Sequence, residues 1–374
     1  MKLLTKLTVT SLLIACLVGG AFAAKIASAD DNSGPGETQS SATTLPALPQ
    51  ILPTSTIPAN GDVNPYGVAF VPNGFPQGPI LTAGDILVSN FNNQNNQQAT
   101  GTTIIKVSPN GPTSLFFQGT GLGLSTALAI LKSGLVIVGN VPTMDGTCGT
   151  LQEGSLLVLN SRGVVVGTIA DPQLLDSPWD MTVVDNGEVV KLFVSNVVSG
   201  TITRLDLVVH RNTFKVKGMT RIGSGFMHSC SAATFVIGPT GLAYDKAKDV
   251  LYVASTGDNA IFALSGVLAA PQDGGMGQMI YSDDTHLHGP LALVLAPNGD
   301  LLVSNGDAVN TDPNQPSEIV EFTVNGTFVS QLSVDKNPGG AFGMGIGSVG
   351  QGLFRFAAVN DNASALTTWI LRAQ

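Results

Sequence analysis

Charge is scarce in this chain: only 11% of its residues are Asp, Glu, Lys or Arg. The basic residues are scattered and the formal net charge is −9. A chain of this kind carries no phosphate-binding stripe, which argues against a nucleic-acid partner. Cysteine is rarer still. Of three cysteines, Cys16 lies near the N-terminus and only Cys148 and Cys230 remain beyond it. With no Cys-x-x-Cys spacing, a structural zinc site built on them is excluded. Beyond the N-terminus no apolar run approaches the ~18 residues a membrane helix needs. The motifs of common catalytic sites are missing too. There is no G-x-S-x-G elbow, no H-E-x-x-H helix and no phosphate loop.

Glycine and proline are plentiful instead, 44 and 21 residues out of 374. They punctuate short runs rich in β-branched and aromatic residues, the pattern of a turn-rich all-β body. The segment Gly238–Leu264 shows the unit clearly. Apolar runs at Thr240–Tyr244, Val250–Ala254 and Ala260–Leu264 are separated by a polar turn and a Gly-Asp-Asn turn. The unit aligns six times, with first strands starting at Pro65, Ser125, Pro178, Pro239, Pro290 and Ala341. These starts lie 60, 53, 61, 51 and 51 residues apart. The second strands end on Asn90, Asn140, Asn196, Asn305 and Asn360, with Ser255 in the remaining copy. Repeats of about this length, with four strands each, stack around an axis because one sheet cannot bury both of its faces alone. The expected fold is therefore an all-β, six-bladed β-propeller over residues 50–374. The last repeat is one strand short. Gln50–Ile57 (QILPTSTI) supplies a candidate N-terminal strand to close the ring and remove a free edge.

The pattern P-x-G-[VL]-A, then G-D-[IL]-L-V-S-N, then I-x-x-[FV] resembles the NHL-repeat propellers over roughly residues 50–371. Such propellers host unrelated activities, so the resemblance implies a fold and leaves the function to the site. Where that family commonly closes the second strand with Asp, five copies here have Asn, a residue suited to capping the following loop as an Asx turn. The gluconolactonase-type propellers are similar in six-blade layout. That resemblance implies a divalent cation held in the channel by a Glu of an innermost strand with Asn and Asp from others. Here Glu37, Glu153, Glu188, Glu318 and Glu321 all fall outside the innermost strands, and Asn64 is a neutral substitute.

The N-terminus carries the marks of export. Lys2 and Lys6 precede an uncharged apolar segment, Leu7–Ala24, and two A-x-A sites follow at Ala21–Ala23 and Ala27–Ala29. Removing residues 1–29 takes away Lys2, Lys6 and Lys25 and no acid, moving the net charge from −9 to −12. Leu13-Ile14-Ala15-Cys16 also matches a lipobox, so a lipid anchor at Cys16 is the alternative to free secretion or a periplasmic location. Either way, membrane association would come only through this N-terminal anchor. Residues 30–49 (DDNSGPGETQSSATTLPALP) read as a polar, disordered linker.

In an exported chain the pair Cys148 and Cys230 suggests a disulfide. The repeat places both on the face that carries the loops after the second strands and between blades. That face also gathers the candidate site residues. The innermost strands begin with Tyr66, Thr126, Trp179, Thr240, Leu291 and Phe342 around the channel mouth, with Asn64 and Asp180 adjacent. The aromatics either stack a flat ligand or plug the channel. His286 and His288 alternate beside Asp283 and Asp284, and His228 lies in the neighbouring connection. In an extended segment two His at i and i+2 point the same way and suit a divalent cation. Asp307 and Asp312, in the Asn-rich loop after Asn305, are candidate calcium oxygens without EF-hand spacing. The reading that follows is a small-molecule or protein ligand held on the loop face. A metal-dependent hydrolase, lactonase or lyase at the channel mouth is the alternative.

Overall fold

The computed structural model describes Leu45 and residues 53–109, 112–231 and 234–372. The export segment, its A-x-A sites, Cys16, nearly all of the 30–49 linker and Gln50–Leu52 lie outside the described residues. Leu45, within the linker span, is buried among Ala292, Leu302, Ile319, Met344 and Phe356.

Six four-stranded antiparallel sheets make up the body. In chain order they are β2–β5 (Val63–Gln118), β6–β9 (Leu128–Ile169), β10–β13 (Pro178–Ser224), β16–β19 (Pro239–Ser282), β20–β23 (Pro290–Ser333) and β24–β26 (Ala341–Arg372). The last of these takes β1 (Thr54–Ser55) as its outermost strand, with Thr54 opposite Leu366 and Ser55 opposite Ala365. Among the described residues this strand spans two residues, within the Gln50–Ile57 expected, and Pro53 just before it has no N–H to add to the ladder. The first strands β2, β6, β10, β16, β20 and β24 each touch the next, and β24 returns to β2, so the ring is closed. A separate hairpin, β14 (Ser229–Ser231) with β15 (Phe235–Ile237), sits in the connection between the third and fourth blades.

The repeat motifs acquire physical reasons here. Five of the six inner strands break register near their start, for instance between Pro65 and Val68 and between Ala341 and Met344. The bulge takes a backbone N–H out of the ladder. The Ser of V-S-N replaces the lost partner. Ser89, Ser195 and Ser304 accept from the N–H of Gly67, Asp180 and Ala292, at 3.0, 3.1 and 2.9 Å. Ser195 and Ser304 also donate to carbonyls of the next blade, Thr240 at 2.7 Å and Phe342 at 2.6 Å. One hydroxyl thus closes a bulge and stitches two blades.

The Gly of P-x-G answers to close approach. A Cβ on Gly343 would lie 1.5 Å from the Tyr66 carbonyl oxygen, and one on Gly241 2.5 Å from that of Leu291. The closing Asn residues bind chiefly the incoming connection, not the following loop as expected. The Asn90 amide donates to the Thr56 carbonyl, Asn196 to that of Leu174 and Asn305 to that of His286. Asn360 is the copy whose Oδ1 accepts from the following loop, at Ala363 N–H.

Candidate functional site: the aromatic mouth of the channel

Two repeat positions build the site. The second residue of each repeat, counted from Pro65, Pro178, Pro290 and Ala341, supplies Tyr66, Trp179, Leu291 and Phe342. The residue just after the second-strand Asn or Ser supplies Phe91, Thr256, Gly306 and Asp361. All eight line one cavity of about 520 Å³. Loop residues complete the wall: Asn92, Asn96 and Gln98 on one side, Pro338 and Asn362 on another, and Thr234, Phe235 and Val236 from the β14–β15 hairpin.

The floor is aromatic and ordered. Trp179 Nε1 donates to the Tyr66 hydroxyl at 2.6 Å, and their rings meet edge to face at 5.1 Å. Phe342 lies 5.6 Å from Tyr66, Phe91 lies 6.0 Å from Trp179, and Phe235 lies 5.8 Å from Phe91. Tyr66, Phe91, Trp179 and Phe235 are buried, while Phe342 is half-buried. Burial pushes the Tyr66 phenol well above its ordinary range. The aromatics seal the channel and floor a cavity above the seal.

Polar groups converge on this floor with their bonding incomplete. Asn64, at φ 58°, lines the cavity, and its buried Oδ1 meets no hydrogen-bond partner. Asp307, at φ 55°, accepts from Ser317 and Gly339 N–H on Oδ2 at 3.0 and 2.7 Å, while its Oδ1 is buried without a partner. Burial raises the pKa of its carboxyl. Asp361 lines the same cavity half-buried. Its carboxylate makes no hydrogen bond to the described residues, and burial pushes its pKa up to about 7. A buried acceptor left unpaired costs about 1–3 kcal/mol, and two of them, Asn64 Oδ1 and Asp307 Oδ1, belong to residues of this wall.

Asp180 does not belong to this mouth. It stands at the inner-strand position that holds Gly67, Ala127, Gly241, Ala292 and Gly343 in the other blades. A side chain there enters the channel on the other side of the aromatic seal. Asp180 lines a second chamber of about 210 Å³ with Val68, Leu128, Leu293 and Met344. Its oxygens accept from Leu242 N–H at 2.9 Å and Met181 N–H at 2.8 Å. It is half-buried by surface but surrounded by protein, and desolvation pushes its pKa up to about 7 against those two bonds.

The histidines separate. His286 stacks on Phe328 at 3.9 Å between centroids and bonds Asp283 through Nδ1 at 2.7 Å. His288 is buried, with Nδ1 on the Asn310 carbonyl and Nε2 without a partner. The turn at Asp283, whose Oδ1 accepts three successive N–H groups from Thr285, His286 and Leu287, rotates the chain so that alternation fails. His228 bonds the Phe226 carbonyl through Nδ1 at 2.8 Å. None of the three lines the cavity. Asp312 caps its own turn through Asn314 N–H and is separate from Asp307's bonds. Among the described residues no group of three or more His, Cys, Asp or Glu side chains gathers as a metal site.

Cys148 and Cys230 are joined, with Cα atoms 5.8 Å apart. The bridge ties the short 3-10 turn Cys148–Thr150, in the loop after β7, to β14. It thereby fixes the hairpin that presents Phe235 and Val236 to the cavity.

Phe91, Phe235 and Asp361 were missed from the sequence as site residues. Phe91 and Asp361 share a repeat position that a six-fold alignment exposes, the residue after the closing Asn. Phe235 belongs to an insertion outside the repeat and has no such signal.

No protein-family model and no curated protein sequence matches the chain. Solved structures do. A gluconolactonase from Xanthomonas campestris superposes with a TM-score of 0.50 at 14% identity, over 86% of this chain and 94% of that one. Regucalcin, a calcium-binding protein from Agrobacterium tumefaciens, gives 0.51 at 10% identity, over 86% of this chain and 95% of that one. These likenesses show the β-propeller fold.

Proposed function

We propose that this protein is an exported β-propeller that binds a small molecule in the cavity at its loop-face mouth. The observation that carries the reading is a 520 Å³ cavity floored by aromatic rings and walled by Asn64, Asp307 and Asp361. Apolar walls with a few convergent polar groups are the usual make-up of a ligand pocket. The disulfide and the N-terminal export segment support an oxidising compartment, secreted or periplasmic, with the lipid anchor at Cys16 as the alternative. The propeller body 50–374 then follows the 30–49 linker as a tethered or free binding module.

Asn64→Gly is the suitable test. Glycine adopts φ 58° without cost, so the variant removes the amide while keeping the backbone. The expected outcome is stability within about 1 kcal/mol of the parent, with at least tenfold weaker binding of whichever compound from a panel of sugars, aryl alcohols and aryl amines shifts the melting temperature. Unchanged affinity, with the bound compound still displaced by Phe342→Ala, would remove Asn64 from the site; binding insensitive to both variants would remove the cavity.

A second reading is favoured by Asp361. A carboxyl free of hydrogen bonds at a cavity wall, titrating at about 7, is matched to proton transfer at neutral pH. A hydrolase or lyase working in this same cavity is the corresponding alternative, and turnover lost in Asp361→Asn with binding retained would establish it. A divalent cation as its cofactor is part of that alternative. The likeness to gluconolactonase and regucalcin supports it only through the shared fold.

A further inference from the structure

We infer that the ligand of the mouth cavity carries a protonated amine, recognised by Asp361 and Asp307 over the aromatic floor. The inference rests on the cavity being the ligand site and concerns what that site selects.

The charged inventory of the wall is one-sided. Its ionisable residues are Tyr66, Asp307 and Asp361, and no Lys, Arg or His lines it. Asn64 Oδ1 and Asp307 Oδ1 are acceptors without partners, and the Asp361 carboxylate offers two more free oxygens. Many nearby donors are already engaged. Trp179 Nε1 is spent on Tyr66, Thr256 Oγ1 on the Pro290 carbonyl and the Asn362 amide on the Asn337 and Pro338 carbonyls. The remaining polar groups of the wall, the Tyr66 hydroxyl and the amides of Asn64, Asn96 and Gln98, can donate or accept, so the carboxyls alone set the charge it prefers.

Charge then separates an amine from a neutral polyol. Two carboxyls facing a floor of Tyr66, Phe91, Trp179, Phe235 and Phe342 form a negative, partly desolvated surface of ring systems, the setting in which an ammonium gains both a charge-assisted hydrogen bond and attraction to ring faces. Above about pH 7, where Asp361 ionises, an anionic ligand is repelled. The half-buried ring of Phe342 adjoins Tyr66 and offers an apolar surface for the body of the ligand. The cavity volume suits a compact ligand of one or two rings.

The electrostatics give the pH behaviour. Desolvation holds Asp361 protonated up to about pH 7. Desolvation is the cause of that shift; the other ionisable groups of the wall are Asp307, with His288 and Glu318 near it, and Tyr66, while Asp335 is engaged by the amide of the neighbouring Asn360. A bound ammonium favours the ionised carboxylate. Amine affinity therefore rises with pH through the neutral range, while a neutral ligand gains nothing from the change.

Phenethylamine and its neutral counterpart 2-phenylethanol, titrated calorimetrically into the full chain, test this. At roughly pH 8 the amine should bind at least tenfold more tightly, and the preference should shrink several-fold at roughly pH 5.5. Asp361→Asn should abolish the preference at pH 8 by weakening the amine more than 2-phenylethanol. Asp307→Asn, measured in parallel, should reduce the preference and covers the case in which the first variant does not fold. Equal binding of the two probes, or a preference untouched by both substitutions, overturns the amine while leaving the cavity as the ligand site. Failure of both probes, and of neutral sugars, overturns the cavity as well.

Discussion

Asp180 shows how one side chain can depart from the repeat. Its position is otherwise Gly or Ala because adjacent inner strands close on it, yet here the side chain enters the channel and reaches Leu242 N–H of the next blade at 2.9 Å. The cost is desolvation, which raises its pKa to about 7. Asp361 is raised to the same value by burial, and burial also raises Asp307, Glu318 and Glu321. For a carboxyl whose folded pKa exceeds its unfolded value near 3.8, the folded state binds more protons between the two values. Stability therefore falls as pH rises, here between about 4 and 7, and levels off above that. Asp283, lowered to about 2, works the other way, but its contribution is lost only below about pH 4. Denaturant midpoints measured across that window should decline in the parent. Asp180→Asn loses the charge but keeps an acceptor for only one of the two N–H groups, so it should lower stability at about pH 4 while making the decline between about pH 4 and 7 shallower. A parent curve that rises from pH 4 to 7 would show that these carboxyls ionise freely.

Among the elements, the β14–β15 hairpin decides the shape of the site. It has three residues a strand, and Phe235 sits at φ 63°, a conformation that a bulky residue holds only when its surroundings impose it. The Cys148–Cys230 bond supplies that constraint across a sequence separation of 82. Loop-closure reasoning puts the stabilisation at up to roughly 4 kcal/mol. In Cys148→Ser with Cys230→Ser, thermal unfolding should move down by an amount of that order or less. Amide exchange should accelerate first at residues 234–237, ahead of the blades, because the hairpin has no sheet of its own to join. Exchange that speeds up evenly through the molecule would mean that the bond stabilises the ring and leaves the cavity wall unaffected.

For the molecule as a whole, closure depends on very little chain. β1 contributes two paired residues, Thr56 N–H donates to the Ser364 carbonyl at 2.9 Å, and the Thr56 carbonyl in turn receives the Asn90 amide at 3.1 Å. Those bonds connect the sixth blade to the first. Leu45 adds a buried anchor among residues of the fifth and sixth blades. A chain starting at residue 58 loses all of them together and should be destabilised by more than about 3 kcal/mol, with a broader denaturant transition. One starting at residue 44 should unfold like the parent. Equal unfolding of the two chains would place closure in the direct contact of β24 with β2 alone.

Much of this was legible in the sequence. Strand length, turn residues and the six-fold spacing follow from local chemistry, since alternation and Gly or Pro punctuation act within a few residues. The repeat also marked Tyr66, Trp179 and Phe342 as ring-forming positions, because equivalent residues in equivalent blades must reach one axis. What it could not supply was direction at positions where the repeat is broken. His286 and His288 part because the carboxylate of Asp283 rolls the intervening turn. Asp180 and Asn64 fall on opposite sides of the aromatic seal, since Asp180 follows Trp179 at the bulge of β10 while Asn64 precedes Tyr66 on β2 at φ 58°. The cavity itself belongs to tertiary structure alone: its wall is drawn from inner strands, second-strand ends and the disulfide-held hairpin, which are far apart in sequence and meet only when the ring closes.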